Sequence, residues 1–192
     1  MKKFIQKILN EEKRGEYILE IPNLSFIPNA DLETPKGKTE AWNELLRLLN
    51  GKPFIFDGDL NLERTDIISL GNLKSVNGYL DLYSCENLIS LGNLQSVSGY
   101  LDLSVCKNLT SLGNLQSVDD FLNLYGCVNL TSLGNLQSVG GDLGLSYTEI
   151  TSLGNLQSVG GSLGLRNTPI SEKYSGEEIR RMVDVKGNIY LL

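Results

Sequence analysis

The chain has 192 residues, enough for one domain or one repeat array, with 17 Lys and Arg against 23 Asp and Glu and a formal charge of −6. Residues 51–170 carry 5 of the basic and 11 of the acidic residues, so the whole excess of acid lies there. Because such a region repels phosphates and anionic lipids, we expect neither nucleic acid nor a membrane as partner. The chain has no histidine, the commonest general base and metal ligand, and we expect no cofactor and no metal.

The first residues are basic and amphipathic, without a continuous apolar run. They predict a short helix over residues 2–14, with a frayed terminus as the alternative. The apolar face of that helix would comprise Phe4, Ile5, Ile8 and Leu9. This stretch has neither the apolar core of a secretion signal nor the length of a transmembrane span. We therefore expect a soluble, cytoplasmic protein.

The segment before the repeats predicts a strand, a loop and a helix. Residues 17–21 alternate as a strand does, and residues 22–38 hold three prolines among Asn, Asp and Gly, which favours a loop. A helix is predicted over residues 40–50, capped by Thr39 and ended by Gly51. Its apolar stripe comprises Trp42, Leu45, Leu46 and Leu49.

One phrase then recurs along the chain, beginning SLGNL and continuing to a valine. It starts at residues 69, 90, 111, 132 and 152, in steps of 21, 21, 21 and 20 residues. A fixed period of this length indicates a solenoid, in which each repeat is one coil stacked on its neighbours. Each coil contains an L-x-L pair that alternates as a half-buried strand does. The pairs are Leu60/Leu62, Leu80/Leu82, Leu101/Leu103, Leu122/Leu124, Leu143/Leu145 and Leu163/Leu165.

Stacked coils place these pairs in one parallel sheet, with neighbouring strands about 4.8 Å apart. The return path of each coil, as in residues 88–97, is too short for an α-helix and predicts extended or 3₁₀ segments. After Pro169 the phrase stops, and a helix capped by Ser175 is predicted. Residues 187–191 then repeat the shape of the earlier strands and predict a seventh one.

The predicted fold class is therefore mainly β with helical caps, a solenoid with one parallel sheet of about seven strands. Residues 1–51 form its helical N-terminal cap, residues 52–170 the solenoid, and residues 171–192 a C-terminal cap of a helix and a final strand. Solenoids need such caps because their end coils would otherwise expose the core.

Columns of equivalent positions that stay constant predict scaffold. Cys85, Cys106 and Cys127 occur once per coil; their odd number and the lack of CxxC motifs argue against disulfides and zinc, so we expect buried thiols. Repeated Asn and Ser predict side chains that satisfy backbone groups at a tight corner, and repeated Gly predicts unusual backbone dihedrals there. These columns comprise Asn72, Asn93, Asn114, Asn135 and Asn155; Ser75, Ser96, Ser117, Ser138 and Ser158; and Gly71, Gly92, Gly113, Gly134 and Gly154.

The outward strand positions vary between coils, as expected of a surface adapted to a partner. The central three coils combine aromatic, acidic and amide side chains there, and the next two coils present small residues. The candidate binding residues are Tyr79, Asp81, Tyr83, Tyr100, Asp102, Phe121, Asn123 and Tyr125. Two interpretations remain open: the aromatic residues anchor a partner, or they only pack on one another and stabilise the sheet.

The pattern L-x-L-x-x-C-x-x-L, as in residues 80–88, resembles the leucine-rich-repeat consensus with Cys at its Asn/Cys position. It recurs from Leu101 and from Leu122, and the phrase NLTSLGNLQSVGG is similar to repeats of receptor L-domains. The short, nearly identical coils resemble those of bacterial and bacteriophage leucine-rich-repeat proteins. The resemblance covers about 120 residues and implies a leucine-rich-repeat-like solenoid that recognises protein on its strand face. It implies no catalytic residue.

Four functions are compatible with these residues. We expect a non-enzymatic protein-interaction module, for instance an inhibitor or host-interaction factor, that uses the outward face of the sheet. A carbohydrate-binding solenoid is the first alternative, since aromatic rings stack on sugars. The others are a β-solenoid enzyme using Asp81 and Asp102 as a carboxylate pair, and a calcium site at Asp81, Asp102 and Asn123.

Overall fold

Each repeat buries two short apolar segments, the L-x-L pair and the valine of the return path. In the computed structural model, which describes residues 19–191, both segments form strands, and the coils stack into a β-solenoid of about five turns. The predicted fold class is confirmed. The helix predicted over residues 2–14 and the beginning of the strand predicted at 17–21 lie outside the described residues.

The strands are mostly two residues long. In chain order they are β1 (Leu19–Ile21), β2 (Phe54–Phe56), β3 (Leu60–Asn61), β4 (Leu73–Val76), β5 (Leu80–Asp81), β6 (Ser96–Val97), β7 (Leu101–Asp102), β8 (Ser117–Val118), β9 (Leu122–Asn123), β10 (Ser138–Val139), β11 (Leu143–Gly144), β12 (Ser158–Val159), β13 (Leu163–Gly164), β14 (Asp184–Val185) and β15 (Ile189–Tyr190). The helices in residues 19–191 are α1 (Pro35–Leu49), α2 (Pro169–Lys173) and α3 (Gly176–Met182).

The leucine sheet consists of the seven parallel strands β3, β5, β7, β9, β11, β13 and β15, in that order. Its register pairs the first leucine of each coil with that of the next, and Leu163 with Ile189 of the final strand. The strand predicted at the C-terminus therefore joins the sheet as expected.

The return path forms a second sheet, the valine sheet, which the sequence predicted only as extended segments. It has eight parallel strands in the order β1, β2, β4, β6, β8, β10, β12 and β14. The stacking that aligns the leucines also aligns each Ser-Val pair with the next, as in Val97 with Val118. The two sheets enclose a core of Leu, Val and Ile side chains that are almost fully buried.

Helix α1 covers the first coil and begins one turn earlier than predicted. Thr34, not Thr39, is its N-cap and accepts a hydrogen bond from the Gly37 amide, and Pro35 occupies the first turn, where its missing N–H costs nothing. Residues 35–38 are therefore helical and not loop. Trp42 is fully buried, donates from Nε1 to the Ser69 carbonyl at 3.0 Å, and so attaches the helix to the solenoid.

The helix predicted after Pro169 is present near the other end of the solenoid, together with a second, short helix. Ser175 caps α3 and forms a capping box with Glu178. Thr168 caps the short helix α2, which was not predicted. Arg180 of α3 donates to the carbonyls of Val185 and Gly187 and so ties this helix to the last coil. Within residues 19–191, no helix has the length and apolarity needed to cross a membrane.

The predicted glycines do lie at a tight corner of each coil, but the serines that satisfy backbone groups there are not the predicted ones. The repeated glycines have φ near +60°, where a side chain is strained. The serines that accept the amides of these glycines are Ser69, Ser90, Ser111, Ser132 and Ser152. The predicted serines at 75, 96, 117, 138 and 158 lie on the valine sheet instead. The asparagines do satisfy neighbouring coils: Asn135 and Asn155 donate to backbone carbonyls, and Asn93 donates to the side chain of Asn72.

The three thiols are free and buried, as expected. Each Sγ lies 3.0–3.1 Å from a carbonyl oxygen of the preceding coil. Burial raises the pKa of Cys127 to about 12 and also raises the pKa of Cys85 and of Cys106. The thiols are therefore protonated at neutral pH and shielded from reagents.

At a second corner the backbone is left-handed at six positions, of which only one is a glycine. It comprises Arg64, Ser84, Val105, Gly126, Tyr147 and Asn167, one per coil. Val105, at φ 63°, is the β-branched member of this column, and the left-handed conformation is worst for that side-chain class.

We predict that Val105→Asn stabilises the protein. Asn tolerates the left-handed region, as Asn167 does at the equivalent corner with φ 54°. Relief of this strain is expected to add about 1 kcal/mol to the free energy of unfolding, measured by urea denaturation. Ser84→Asn, at a corner without a β-branched residue, is the matched control and should change stability less. Equal or smaller stabilisation by Val105→Asn than by the control would contradict the strain.

We also predict that maleimide at pH 8 leaves the native thiols unmodified. All three should react once the protein is unfolded in guanidinium, because unfolding removes the burial that holds them protonated. Intact-mass spectrometry measures the number of adducts. Rapid labelling of the folded protein would show that this column opens to solvent.

Candidate partner-binding surface

The outward face of the leucine sheet carries three variable columns. One column precedes the strands, the second is the outward strand residue, and the third follows the strands by one buried leucine. Because the strands pair in register, as Leu80 with Leu101 and Leu101 with Leu122, side chains of one column lie above one another. The predicted site residues of the central coils are thereby gathered on one face.

The first column forms an aromatic ladder of Tyr79, Tyr100 and Phe121. Tyr79 stacks on Tyr100 with centroids 4.7 Å apart and planes 4° apart, and Tyr100 stacks on Phe121 at 4.8 Å and 2°. All three rings are half-buried. Burial, and then the carboxylates nearby, raise the pKa of Tyr79 and of Tyr100. The rings thus pack on one another, which is one of the two interpretations, while part of each side chain stays exposed.

The second column forms an Asx column of Asn61, Asp81, Asp102 and Asn123. In each case Oδ1 accepts the amide of the residue two positions later, at 2.8–3.2 Å. Asp102 also accepts the hydroxyl of Ser104 at 2.6 Å. An amide and a carboxylate serve this turn equally, so the turn itself does not require the negative charge.

The charge of the Asx column is concentrated on its two aspartates, which are paired across neighbouring strands. Burial raises the pKa of Asp81, and the adjacent Asp102 and Glu63 raise it further, while the hydrogen bond from the Tyr83 amide and the charge of Lys38 lower it. Lys38 comes from α1 and donates to Asn61 Oδ1 at 2.6 Å, and its Nζ lies 3.8 Å from a Glu63 oxygen. The helical cap therefore places a cation at the first coil of this face, a contact that the sequence did not reveal.

In the third column the predicted Tyr83 and Tyr125 do not stack on each other as the rings of the ladder do. Tyr83 packs under Arg64, whose guanidinium carbon lies 5.4 Å from the ring centroid. Ser104 separates the two tyrosines and is buried. Tyr125 meets Tyr147 edge to face at 5.2 Å, and both are about half exposed. Tyr147 was not predicted, because it lies at the left-handed corner and not in a strand column; it extends the aromatic surface into the fifth coil.

A depression of about 490 Å³ adjoins the ladder where its last ring ends. It forms because Phe121 is followed in the next coil by residues that do not fill the column. Its lining comprises Asp120, Phe121, Leu122, Asn123, Gly141, Asp142 and Gly144.

The candidate calcium site and the candidate catalytic carboxylate pair both depend on Asp81 and Asp102. Within residues 19–191, no group of three or more His, Cys, Asp or Glu side chains converges so as to hold a metal ion. Asp81 and Asp102 each commit one oxygen to a turn amide. A carboxylate pair is present, but each member has the structural bond that Asn61 and Asn123 also make.

No family model, curated protein or solved structure is a match to this chain.

We predict that Asp81→Asn stabilises the protein at neutral pH. The amide keeps the acceptor for the Tyr83 N–H and removes a charge that burial and Asp102 disfavour. Because the pKa of Asp81 is raised in the folded state, this carboxyl costs stability as pH rises above its unfolded value. The gain should therefore appear at pH 7 and vanish at low pH, where the carboxyl is neutral in both states.

Asp81→Ala is the matched control, measured beside Asp81→Asn by thermal unfolding across pH. It removes both the charge and the acceptor, and should lose stability at low pH, about 1 kcal/mol for the unmade hydrogen bond. A less stable Asp81→Asn variant at pH 7 would mean that the bond from the Tyr83 amide to the charged carboxylate, together with attraction to Lys38, outweighs burial.

Proposed function

We propose that this chain is a non-enzymatic protein-binding module that uses the outward face of the leucine sheet. The partner contacts the predicted set, which is the aromatic ladder with Asp81, Tyr83, Asp102, Asn123 and Tyr125, and Tyr147 is added to it. The observation that carries the proposal is the coexistence of half-exposed stacked rings and acidic side chains on the coils where the outward columns depart from the repeat.

The charge on this face favours a basic partner. Lys107 is the one basic residue between Lys74 and Arg166 in the sequence, and it pairs with Glu86 at 2.9 Å. The cations near the face lie at its ends, with Lys38 and Arg64 at the first coils. The centre of the face is therefore acidic and aromatic, which complements a basic surface.

Rigid aromatic side chains are suited to be interface anchors. The rings of the ladder are held by their neighbours, so little conformational entropy is lost when a partner orders them further. Burying the remaining exposed area of Tyr100 and Phe121 then contributes to affinity at small cost. Stacking within the sheet and binding of a partner are thus compatible roles.

Carbohydrate binding is less well supported by the same rings. A sugar stacks on an open ring face, and both faces of Tyr100 are covered by Tyr79 and Phe121, so the centre of the ladder offers none. Partner side chains can instead contact the exposed edges. For an enzyme, Asp81 and Asp102 would have to act while each accepts a turn amide, a role that an amide fills in the neighbouring coils.

The resemblance to leucine-rich repeats adds to this proposal. In that family the strand face recognises proteins, which here corresponds to the leucine sheet. A bacterial or bacteriophage origin, with a role as inhibitor or host-interaction factor, rests on the shortness and near identity of the repeats.

We predict that Tyr100→Ala combined with Phe121→Ala abolishes capture of the partner. The affinity-tagged protein is used to capture partners from its native cell, and bound proteins are identified by mass spectrometry. Loss of two ring stacks should cost about 1–3 kcal/mol of stability, so circular dichroism should still show a cooperative, folded protein.

The matched control is Ile68→Ala combined with Ile89→Ala. These residues are 71% and 57% exposed on neighbouring coils, outside both sheets. The control should retain the same captured protein. Capture retained by the folded ladder variant, or lost only in the control, would move the binding surface away from the leucine sheet.

A further inference from the structure

At the C-terminal end of the aromatic ladder, no ring of residues 19–191 stacks on the outer face of Phe121. Tyr100 covers one side of Phe121 at 4.8 Å. The next residue of the column is Asp142, whose Oδ1 accepts the Ser162 amide at 2.6 Å and is thus turned toward the following coil. The depression lined by Phe121, Gly141 and Gly144 occupies the place that a fourth ring would fill.

A carboxylate stands beside this open face at a position where the other coils have glycine. Asp120 shares its column with Gly78, Gly99, Gly141 and Gly161. Its Oδ1 lies 3.0 Å from the point where a Cβ on Gly141 would be, so the carboxylate reaches over that glycine into the depression. It accepts no hydrogen bond and forms no ion pair with any other residue in 19–191.

We propose that this depression is a subsite for an arginine side chain of the partner protein. The guanidinium stacks on the open face of Phe121 as the next rung of the ladder, and its N–H groups donate to the carboxylate of Asp120. Planarity permits the stacking and the fork of donors matches a carboxylate. This inference rests on the proposed protein-binding function, for which it specifies the residue that is recognised.

Arginine also lies against an aromatic ring at two other places in this chain. The guanidinium carbon of Arg64 lies 5.4 Å from the ring centroid of Tyr83, and that of Arg166 lies 5.7 Å from that of Tyr190. Both arginines sit on aromatic residues of the leucine-sheet side of the solenoid. In the coils between these two arginines, Phe121 has an open ring face and the carboxylate of Asp120 beside it, but no arginine of this chain lies against it. The position is therefore available to a cation of the partner.

Arginine is favoured over other occupants by shape and charge. A lysine ammonium is a compact point charge that cannot cover a ring face while it donates a bidentate pair. A nucleotide would bring phosphate next to Asp120 and Asp142, which repel it. A sugar would stack on Phe121 but would leave the acidic charge unneutralised.

The test is a titration of the ¹⁵N-labelled full chain with N-acetylarginine amide, followed by ¹H–¹⁵N spectra. We expect saturable shifts centred on the amides of Asp120, Phe121 and Gly141. N-acetylcitrulline amide has nearly the same shape without charge and should bind weakly or not at all, and N-acetyllysine amide should bind less tightly than the arginine compound. Equal binding of the three compounds, or shifts scattered over the acidic face, would overturn the proposal.

Four variants assign the two contacts. Asp120→Gly adopts the residue of the other coils, and Phe121→Leu removes the ring; each should weaken arginine binding about two- to five-fold. Phe121→Tyr restores a ring of the kind already present in the ladder and should bind as the natural chain does. Asp142→Tyr adds a fourth rung, occupies the depression and should abolish binding.

Asp119→Gly is the matched control, because it removes the same charge one residue away. Asp119 faces a separate depression beside Val118 and Gly140 of the valine sheet. This variant should keep the affinity for N-acetylarginine amide. Equal weakening by Asp119→Gly and Asp120→Gly would show attraction by net charge alone and would overturn the subsite.

The outcome separates this inference from the proposed function. Capture of a protein that depends on Tyr100 and Phe121 but is unchanged by Asp120→Gly would uphold the binding face and refute the arginine subsite. Specific arginine binding at Phe121, with partner capture unaffected by the ladder variants, would support the subsite and refute the leucine sheet as the binding face of that partner.

Discussion

The backbone hydrogen bonds between successive coils are the constraint on which the rest of the structure depends. Leu80 donates to the carbonyl of Tyr100, Leu101 to that of Phe121, and Leu122 to that of Asp142, all at 2.9–3.0 Å. Each bond joins residues about one repeat apart, so a coil of different length has to place its extra or missing residues between the strands. The last coil is longer than the others, yet Leu163 still pairs with Ile189, because α2 and α3 take up the additional residues. The near-constant period of the other coils fits this parallel stacking.

Because the coils stack in register, residues that differ from the repeat in neighbouring coils form one continuous surface. A tyrosine in one coil lies against the tyrosine of the next, and three such positions become a continuous ladder. The same stacking leaves a depression at Phe121, because the column continues with a smaller residue in the following coil. Binding features thus arise at the points where the repeat departs from itself, while the constant columns keep the backbone in place.

The caps contribute to the face as well as closing the ends. Lys38 reaches from α1 to Asn61 and Glu63, so the first coil of the acidic face is neutralised by a residue far away in the sequence. At the other end Tyr190 of the last strand packs under Arg166. Both ends of the face therefore carry cations, and its middle remains acidic.

The sequence by itself determined the solenoid, its leucine sheet and the buried thiols. A near-constant period allows burial and strand register to be predicted from residue spacing alone. It also located the columns that vary. Only the tertiary structure decided that the return path pairs into a second sheet, that Tyr147 meets Tyr125, and that the last ring of the ladder keeps an open face. The last two features depend on side-chain directions: Tyr147 projects from a left-handed corner, and Asp142 directs Oδ1 to the Ser162 amide of the following coil. A period in the sequence specifies which residues share a column, but the direction of each side chain is set by the hydrogen bonds and packing of the folded coils.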